Sequence, residues 1–230
     1  MNPDQPVPVR PRVVVVDDAS QTRDTFHLAY QALEVVATFH TVESLLAAQP
    51  QADLVVLDLL LSPDLNGSVL QGPRAIMELV HHGYRVCMYT DERRLLVLAR
   101  CFAAGASGMV RKLDSVADNQ AAFLQVAAGQ SVVPPSMVEL AELLRRRRRL
   151  PELTGRQTEV LNARARGEAW DALARRLGIS PKTAQDHLAA VMAKMVGFLQ
   201  QAGLDPYASA ADVEHALGLA PGDLNDPGMR

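Results

Sequence analysis

Five polar side chains in the first half of the chain are of types that could bind a metal ion beside an anionic group. The acids Asp17 and Asp18 follow one short apolar run, and Asp58 follows another. Three carboxylates that lie side by side repel one another unless a cation joins them, and hard oxygen ligands in that number suit Mg²⁺. Thr90 and Lys112 follow further apolar runs and offer a hydroxyl and a positive charge. The residue types therefore predict a magnesium site next to a position for an anion.

These side chains meet if the first 128 residues form a parallel sheet. Short runs of β-branched residues alternate there with longer stretches of helical periodicity, which is typical of a sheet covered by helices on both faces. Such a doubly wound sheet places functional residues at the carboxyl ends of its strands. The expected strands are 12–17, 34–39, 53–58, 85–90 and 107–111, and the expected helices are 20–33, 42–48, 73–82, 91–104 and 114–128.

Four motifs, VVVVDD, DLVVLDLLL, VCMYT and GASGMVRK, make residues 12–128 similar to the receiver domain of bacterial two-component response regulators. The 40-residue step from Asp18 to Asp58 and the 22-residue step from Thr90 to Lys112 fit that family. The resemblance implies an α/β receiver domain over residues 10–128, with a flavodoxin-like, five-stranded parallel sheet. It also implies that Asp58 accepts a phosphoryl group from a sensor histidine kinase.

The same resemblance implies a role for each residue of the crevice. A carboxylate attacks an anionic phosphoryl group only if the developing charge is neutralised, which Mg²⁺ and Lys112 would do. Thr90 would hydrogen-bond a phosphoryl oxygen, and Lys112 would pair with the phosphoryl group. The implied Mg²⁺ ligands are Asp17, Asp18, Asp58 and the backbone carbonyl of Leu60.

Three features depart from the receiver pattern and bear on how the domain would switch. Met109 occupies the position of the family's aromatic switch residue, and Asp91 stands where a small residue usually follows the threonine. The loop over 59–72, LLLSPDLNGSVLQG, is longer than usual. These differences affect the expected switching and phosphorylation rate rather than the site itself.

The stretch from Leu153 to Met195 resembles the helix-turn-helix DNA-binding domain of NarL/LuxR-type regulators. Thr154 and Gln157 form a capping-box pattern, Gly178 can turn the chain between two helices, and Ser180 with Pro181 can begin the recognition helix. We therefore expect an all-α domain over residues 151–218 that binds double-stranded DNA.

The recognition helix is poor in cations, which leaves a second interpretation open. Its exposed positions are expected to be Ala184, Gln185, Asp186, Ala189 and Ala190. The helical domain could instead act through protein contacts, and a gel-shift assay separates the two. For DNA binding, Gln185 is the expected base reader and Asp186 faces phosphates or accepts from a cytosine amine. The expected backbone contacts are Lys182, Thr183, Lys194, Arg175 and Arg176.

Residues 129–150 are interpreted as a partly helical linker that contains five consecutive arginines at 145–149. This run is either a solvated face or an extra phosphate contact. An apolar stripe at positions 184, 188, 191, 195 and 199 favours packing within the domain over a dimer seam. Homodimers are expected through helix four, strand five and helix five of the receiver, and residues 219–230 are expected to be a flexible tail.

Composition limits the remaining classes. The 230 residues are 48% hydrophobic and carry a net charge of −3, and no apolar stretch approaches a membrane span or forms a signal peptide. Cys87 and Cys101 are expected to be buried free thiols in a reducing, cytoplasmic compartment. An aspartyl-phosphate phosphohydrolase is the enzyme alternative, but it would need a cap-sized insertion that the sequence lacks. The sequence therefore predicts a non-enzymatic, phosphorylation-controlled transcription regulator.

Overall fold

The computed structural model describes residues 10–62 and 70–224. Part of the predicted long loop, 63–69, and the end of the predicted tail, 225–230, lie outside the described residues. Within the described parts the chain forms a five-stranded sheet flanked by five helices, followed by five further helices.

All five strands are parallel, in the spatial order β2-β1-β3-β4-β5. The strand order reverses between β1 and β3, which creates the crevice at which doubly wound folds place their ligands. Both strands are valine- and leucine-rich and almost wholly buried, as expected of central parallel strands. The predicted doubly wound α/β fold is therefore confirmed. The strands are β1 (Arg12–Val16), β2 (Glu34–Phe39), β3 (Leu54–Leu57), β4 (Val86–Tyr89) and β5 (Gly108–Val110).

Helices cover both faces of this sheet. Phe26 and Phe123 bring α1 and α5 into one core, and Leu45, Ile76 and Leu98 bring α2, α3 and α4 into the core on the opposite face. The helices are α1 (Ser20–Ala29), α2 (Val42–Ala48), α3 (Gly72–His81), α4 (Leu95–Ala103) and α5 (Val116–Ala127).

Helix α4 begins at Leu95, four residues later than the predicted 91, because two acidic side chains bond backbone groups in and near the preceding loop. The Asp91 carboxylate accepts a hydrogen bond from the backbone N–H of Leu113 at 3.2 Å. The Glu92 carboxylate accepts from the backbone N–H groups of Arg93 and Arg94, each at 2.8 Å. These bonds hold residues 91–94 as a non-helical loop beside the crevice, because acidic side chains that bond nearby backbone groups compete with helix formation.

The described residues from 151 onward form helices and no strand, which confirms the predicted all-α unit. Thr154 and Gln157 form the expected capping box. Gly178 takes φ 65°, a left-handed conformation that glycine adopts without penalty, and Ser180 caps the next helix through the N–H of Thr183. The helices are α6 (Ser136–Arg146), α7 (Gly155–Ala165), α8 (Trp170–Leu177), α9 (Pro181–Gln201) and α10 (Ala210–Leu217).

Helix α9 packs against α7 and α8 and also against α4 and α6. Val191, Met195 and Leu199 are fully buried in a core that includes Leu98 of α4. The apolar stripe therefore packs within the chain, as the sequence favours. One prediction for this helix was wrong: Ala184 is fully buried rather than exposed, because it faces the core formed with α7 and α8.

The described part of the predicted tail, 219–224, is packed rather than free. Leu219 and Leu224 are buried, and the buried Glu214 carboxylate accepts hydrogen bonds from the N–H groups of Gly222 and Leu224 at 2.9 Å. A buried carboxylate needs such donors, so this bond set fixes the segment. Sequence periodicity gives no sign of it.

Both cysteines lie in the interior of the protein. Cys87 and Cys101 are buried free thiols, as predicted, and burial raises the pKa of Cys101 to about 12. Among residues 10–62 and 70–224, no helix combines the length and the apolar character needed to cross a membrane.

Candidate functional site

The crevice at the ends of β1 and β3 brings the three predicted acids together. Asp17, Asp18 and Asp58 each offer an oxygen, and these oxygens all lie within 4.8 Å of one another. Their proximity follows from the sheet register, in which Val16 pairs with Leu57. The acids that directly follow two paired strands must therefore lie side by side.

Lys112 closes the crevice from the end of β5. Its Nζ donates to Asp17 Oδ2 and to Asp58 Oδ2, each at 2.8 Å. Thr90 lies at the end of β4 and is buried, and its Oγ1 accepts a hydrogen bond from the N–H of Glu92 at 3.3 Å. All five predicted residues thus come from strand ends at one edge of the sheet.

Burial and the neighbouring Lys112 shift the pKa of Asp58 in opposite directions. Burial raises the pKa of Asp58, and the hydrogen bond from Lys112 only partly offsets this. For Lys112, burial acts to lower the pKa, but the hydrogen bonds to Asp17 and Asp58 outweigh it and leave the pKa raised. The pKa of Asp18 is lowered, chiefly by a hydrogen bond from the Ser62 hydroxyl.

The donor set suits a divalent cation. Three carboxylates face one ammonium group in the crevice, so a hard cation would balance the excess negative charge. The N–H of Leu60 donates to Asp58 Oδ1 at 3.2 Å, so the chain turns directly after this acid. The residues present therefore fit Mg²⁺, with the three expected carboxylate ligands in one cluster.

The helix-turn-helix unit presents the start of α9 to solvent. Lys182, Thr183, Gln185 and Asp186 are exposed, while Ala184 between them is buried. Ser180 and Thr183 hydroxyls are hydrogen-bonded at 2.8 Å, which orders the first turn. This exposed turn is the surface on which the sequence places DNA contact.

Known regulatory proteins are similar to this chain in sequence. Residues 151–196 match the family described as "GerE: Bacterial regulatory proteins, luxR family". UhpA, a transcriptional regulatory protein of Escherichia coli K12, is 30% identical over 165 residues, covering 71% of this chain and 79% of UhpA. The chain belongs to the NarL/LuxR family of response regulators.

Other relatives of this family carry regulator names as well. The probable transcriptional regulatory protein NarL of Mycobacterium tuberculosis is 28% identical over 203 residues, covering 83% of this chain and 90% of NarL. MoxX, a methanol utilization control regulatory protein of Paracoccus denitrificans, is 30% identical over 140 residues, which cover 59% of this chain and 61% of MoxX. Both names describe regulatory proteins, and that of NarL specifies transcription.

Solved response-regulator structures share the fold. RcsB of Salmonella enterica serovar Typhimurium, bound to a promoter in the presence of the phosphomimetic BeF3-, gives a TM-score of 0.51 at 19% identity, covering 91% of this chain and 98% of RcsB. The isolated receiver domain of RcsB gives a TM-score of 0.50 at 19% identity, over 57% of this chain. At these identities the likeness concerns the fold, and it supports the two-unit architecture.

Two departures from the response-regulator pattern can now be located. Met109 is buried, with 4% of its surface exposed, in the core that contains α4. Asp91 bonds the backbone of Leu113, the residue after Lys112. The unusual acid therefore ties the loop after β4 to the loop after β5 instead of pointing freely at the crevice mouth.

Two residues of the crevice were missed by sequence reasoning. The Arg23 guanidinium donates to the backbone carbonyls of Asp17 and Asp18, at 2.6 and 2.8 Å. Its place one turn into α1 could have indicated this, because helical side chains lean toward the N-terminus. Ser62, which bonds Asp18, lies in an irregular loop in which no sequence period predicts a contact.

Several cations predicted to contact DNA are paired within the chain. Lys194 Nζ donates to the backbone carbonyl of Glu152 at 2.7 Å and to Gln157 Oε1 at 3.1 Å. Arg176 pairs with Glu168 at 2.8 Å. The remaining intramolecular pairs are Arg175 Nε with the Asp171 carbonyl, Lys182 with Asp186, Arg145 and Arg146 with Glu142, and Arg147 with Asp223.

Proposed function

We propose that the chain is a phosphorylation-controlled, DNA-binding transcription regulator that accepts a phosphoryl group on Asp58 from a sensor histidine kinase. The observation that carries this proposal is the geometry of Lys112, whose Nζ lies 2.8 Å from both Asp17 and Asp58. An ammonium group so placed can pair with the phosphoryl oxygens that replace the Asp58 carboxylate charge.

In the proposed transfer, an Asp58 carboxylate oxygen attacks the phosphorus of a phosphohistidine. An oxygen–phosphorus bond forms, the phosphorus–nitrogen bond breaks, and the imidazole nitrogen leaves with the electron pair and takes up a proton. Mg²⁺, held by Asp17, Asp18, Asp58 and the carbonyl of Leu60, would neutralise charge on the transferred group. Lys112 and the hydroxyl of Thr90 would hold its oxygens afterwards.

The units proposed for these tasks are the receiver over 10–128, the linker over 129–150 and the DNA-binding domain over 151–218, followed by 219–230. Coupling between receiver and DNA-binding domain is supported by the packing of α4 on α9. Helix α4 follows the loop that begins at Thr90, and α9 begins with the proposed DNA contacts. A change at the phosphorylation site therefore has a short path to the DNA-binding surface.

On DNA, Gln185 is the proposed base reader because its amide can pair bidentately with adenine. Lys182 and Thr183 would contact phosphates, helped by Arg175 and Arg176. Lys194, also predicted to contact the backbone, would first have to leave Glu152 and Gln157. Homodimers are proposed because a structure of the related RcsB is described as two RcsB dimers bound to two parallel DNAs. The proposed location is the cytoplasm, where a kinase and chromosomal DNA are both accessible.

A second candidate function, regulation through protein contacts, is favoured by one observation. Lys182 pairs with Asp186 at 2.5 Å, so the exposed turn of α9 carries little unbalanced positive charge. Binding selection from a random duplex library distinguishes the two. An enriched sequence motif supports DNA recognition, whereas recovery of no DNA above background favours the protein-contact function.

Phosphorylation is tested by incubating the full chain with acetyl phosphate and Mg²⁺ and measuring its intact mass. We expect one added phosphoryl group on the native chain and none on Asp58→Asn, whereas Asp53→Asn, an acid at the opposite end of β3, should be phosphorylated normally. An adduct at full yield in Asp58→Asn would contradict the assignment.

A further inference from the structure

The loop after β3 reaches across the crevice to the acid pair after β1. Both the N–H and the hydroxyl of Ser62 donate to Asp18 Oδ2, at 3.1 and 2.5 Å. Ser62 is exposed, so its contact with Asp18 contributes little to the hydrophobic core. The bond instead fixes a side chain in the predicted metal cluster.

The three acids of the cluster are held from two sides. Lys112 orients the carboxylates of Asp17 and Asp58, and Ser62 orients that of Asp18. The terminal torsion of an aspartate is broad, so two donors on one oxygen restrict a rotation that would otherwise be easy. Arg23 holds the backbone of the acid pair but leaves this side-chain torsion to Ser62.

We propose that Ser62 is a positioning residue, which holds the Asp18 carboxylate in the orientation that binds a divalent cation. This inference rests on the proposed function of the crevice as a Mg²⁺-dependent phosphorylation site. Ser62 acts through Asp18 and need not touch the cation or the phosphoryl group.

The expected size of the effect follows from other metal sites. Loss of a residue that orients a ligand typically costs about 10- to 100-fold in metal affinity. Ser62→Ala removes the hydroxyl donor and keeps the backbone N–H donor, so we expect the lower end, about a tenfold weaker affinity for Mg²⁺. Ser62→Thr keeps a hydroxyl and should bind within about twofold of the native chain, since its donor is retained.

The test is calorimetric titration of the full chain with MgCl2, which needs no phosphorylation. Ser209→Ala is the matched control, because Ser209 also donates its N–H and hydroxyl to one oxygen of an aspartate, Asp212 Oδ2, away from the crevice. It should bind Mg²⁺ like the native chain. If Ser62→Ala misfolds by circular dichroism, Ser62→Val against Ser62→Thr makes the same comparison at nearly equal side-chain volume.

The outcomes separate this inference from the proposed function. Native-like or tighter Mg²⁺ binding by Ser62→Ala overturns the positioning role, as does a native chain that binds no Mg²⁺ at millimolar concentration. Weakened binding rescued by threonine supports it. A different result would contradict the proposed function and leave the role of Ser62 intact. In that case the native chain binds Mg²⁺ and the Ser62 variants bind it as expected, but the native chain gains no phosphoryl mass from acetyl phosphate.

Discussion

The two lysines of α9 stand in opposite situations, and this allows a sharp test of how the helix binds DNA. Lys182 has 78% of its side chain exposed and pairs with the exposed Asp186 on the next turn. Lys194 donates to the carbonyl of Glu152 and to Gln157, the residue that completes the cap of α7. Lys182 can exchange its partner for a phosphate at small cost, whereas Lys194 would have to leave two acceptors.

The magnitude follows from counterion release. Each phosphate that a protein neutralises contributes about 0.9 to the slope of log K against log salt concentration. Between 50 and 200 mM salt, one such contact therefore accounts for about a 3.5-fold change in affinity. We expect Lys182→Ala to lower the slope by this one contribution. Lys194→Ala should keep the native slope. It should instead lose about 1–2 kcal/mol of the free energy of unfolding, because the hydrogen bonds of the charged Lys194 are only partly exposed.

The assay is fluorescence anisotropy of a labelled duplex at four salt concentrations, with urea unfolding of each variant in parallel. Asp186→Asn is a third variant to measure, because it frees Lys182 and removes a negative charge from the same face. The affinity of this variant for DNA should therefore rise. These roles of the two lysines are contradicted if Lys194→Ala lowers the slope as much as Lys182→Ala, or if Lys182→Ala has the native slope.

Three further expectations concern other contacts. Gln185→Ala should relax base preference at one position of a selected site and cost about 1–3 kcal/mol there, measured by competition binding. Glu142→Gln should lower the free energy of unfolding by about 1–3 kcal/mol at pH 7. Burial acts to raise the pKa of Glu142, but its arginine partners outweigh this and lower it. Its stabilisation is therefore present above the ordinary glutamate pKa of about 4.3, and urea titrations should show it fading as pH falls further. Beryllofluoride should convert the chain to dimers in light scattering, and hydrogen exchange should become faster in the part of α9 that α4 covers; dimers in which that part of α9 exchanges as slowly as before would contradict the expected dimer face.

The sequence predicts the crevice because topology alone determines it. Parallel strands end at one edge of the sheet, so Asp17, Asp58 and Lys112 had to converge once the alternation of strands and helices was recognised. Contacts between side chains of distant loops were not predictable in this way. The start of α4 depends on a bond from Asp91 to a backbone group 22 residues away, and no local propensity encodes it.

The helical second unit likewise combines features that the sequence predicts with contacts that it does not. Its caps at Thr154 and Ser180 follow from residue types at fixed offsets, and the structure contains both. Helical periodicity assigns Ala184 to the same apolar stripe as Val191, and both are fully buried. The family resemblance, which predicts Ala184 to be exposed, is the poorer guide at this position. The acceptors of Lys194 are set by the packing of α7 on α9, which only the three-dimensional structure provides.

Helix α9 runs from the exposed turn proposed to bind DNA to the core that it shares with α4. Its 21 residues span about 30 Å at 1.5 Å per residue, with Gln185 near one end and Leu199 in the core shared with α4 near the other. A continuous helix moves as a unit, so a displacement of α4 at the buried end would reorient the exposed first turn. Because the buried Met109 offers no ring that could turn outward, this shared helix is the more direct route by which phosphorylation could reach DNA.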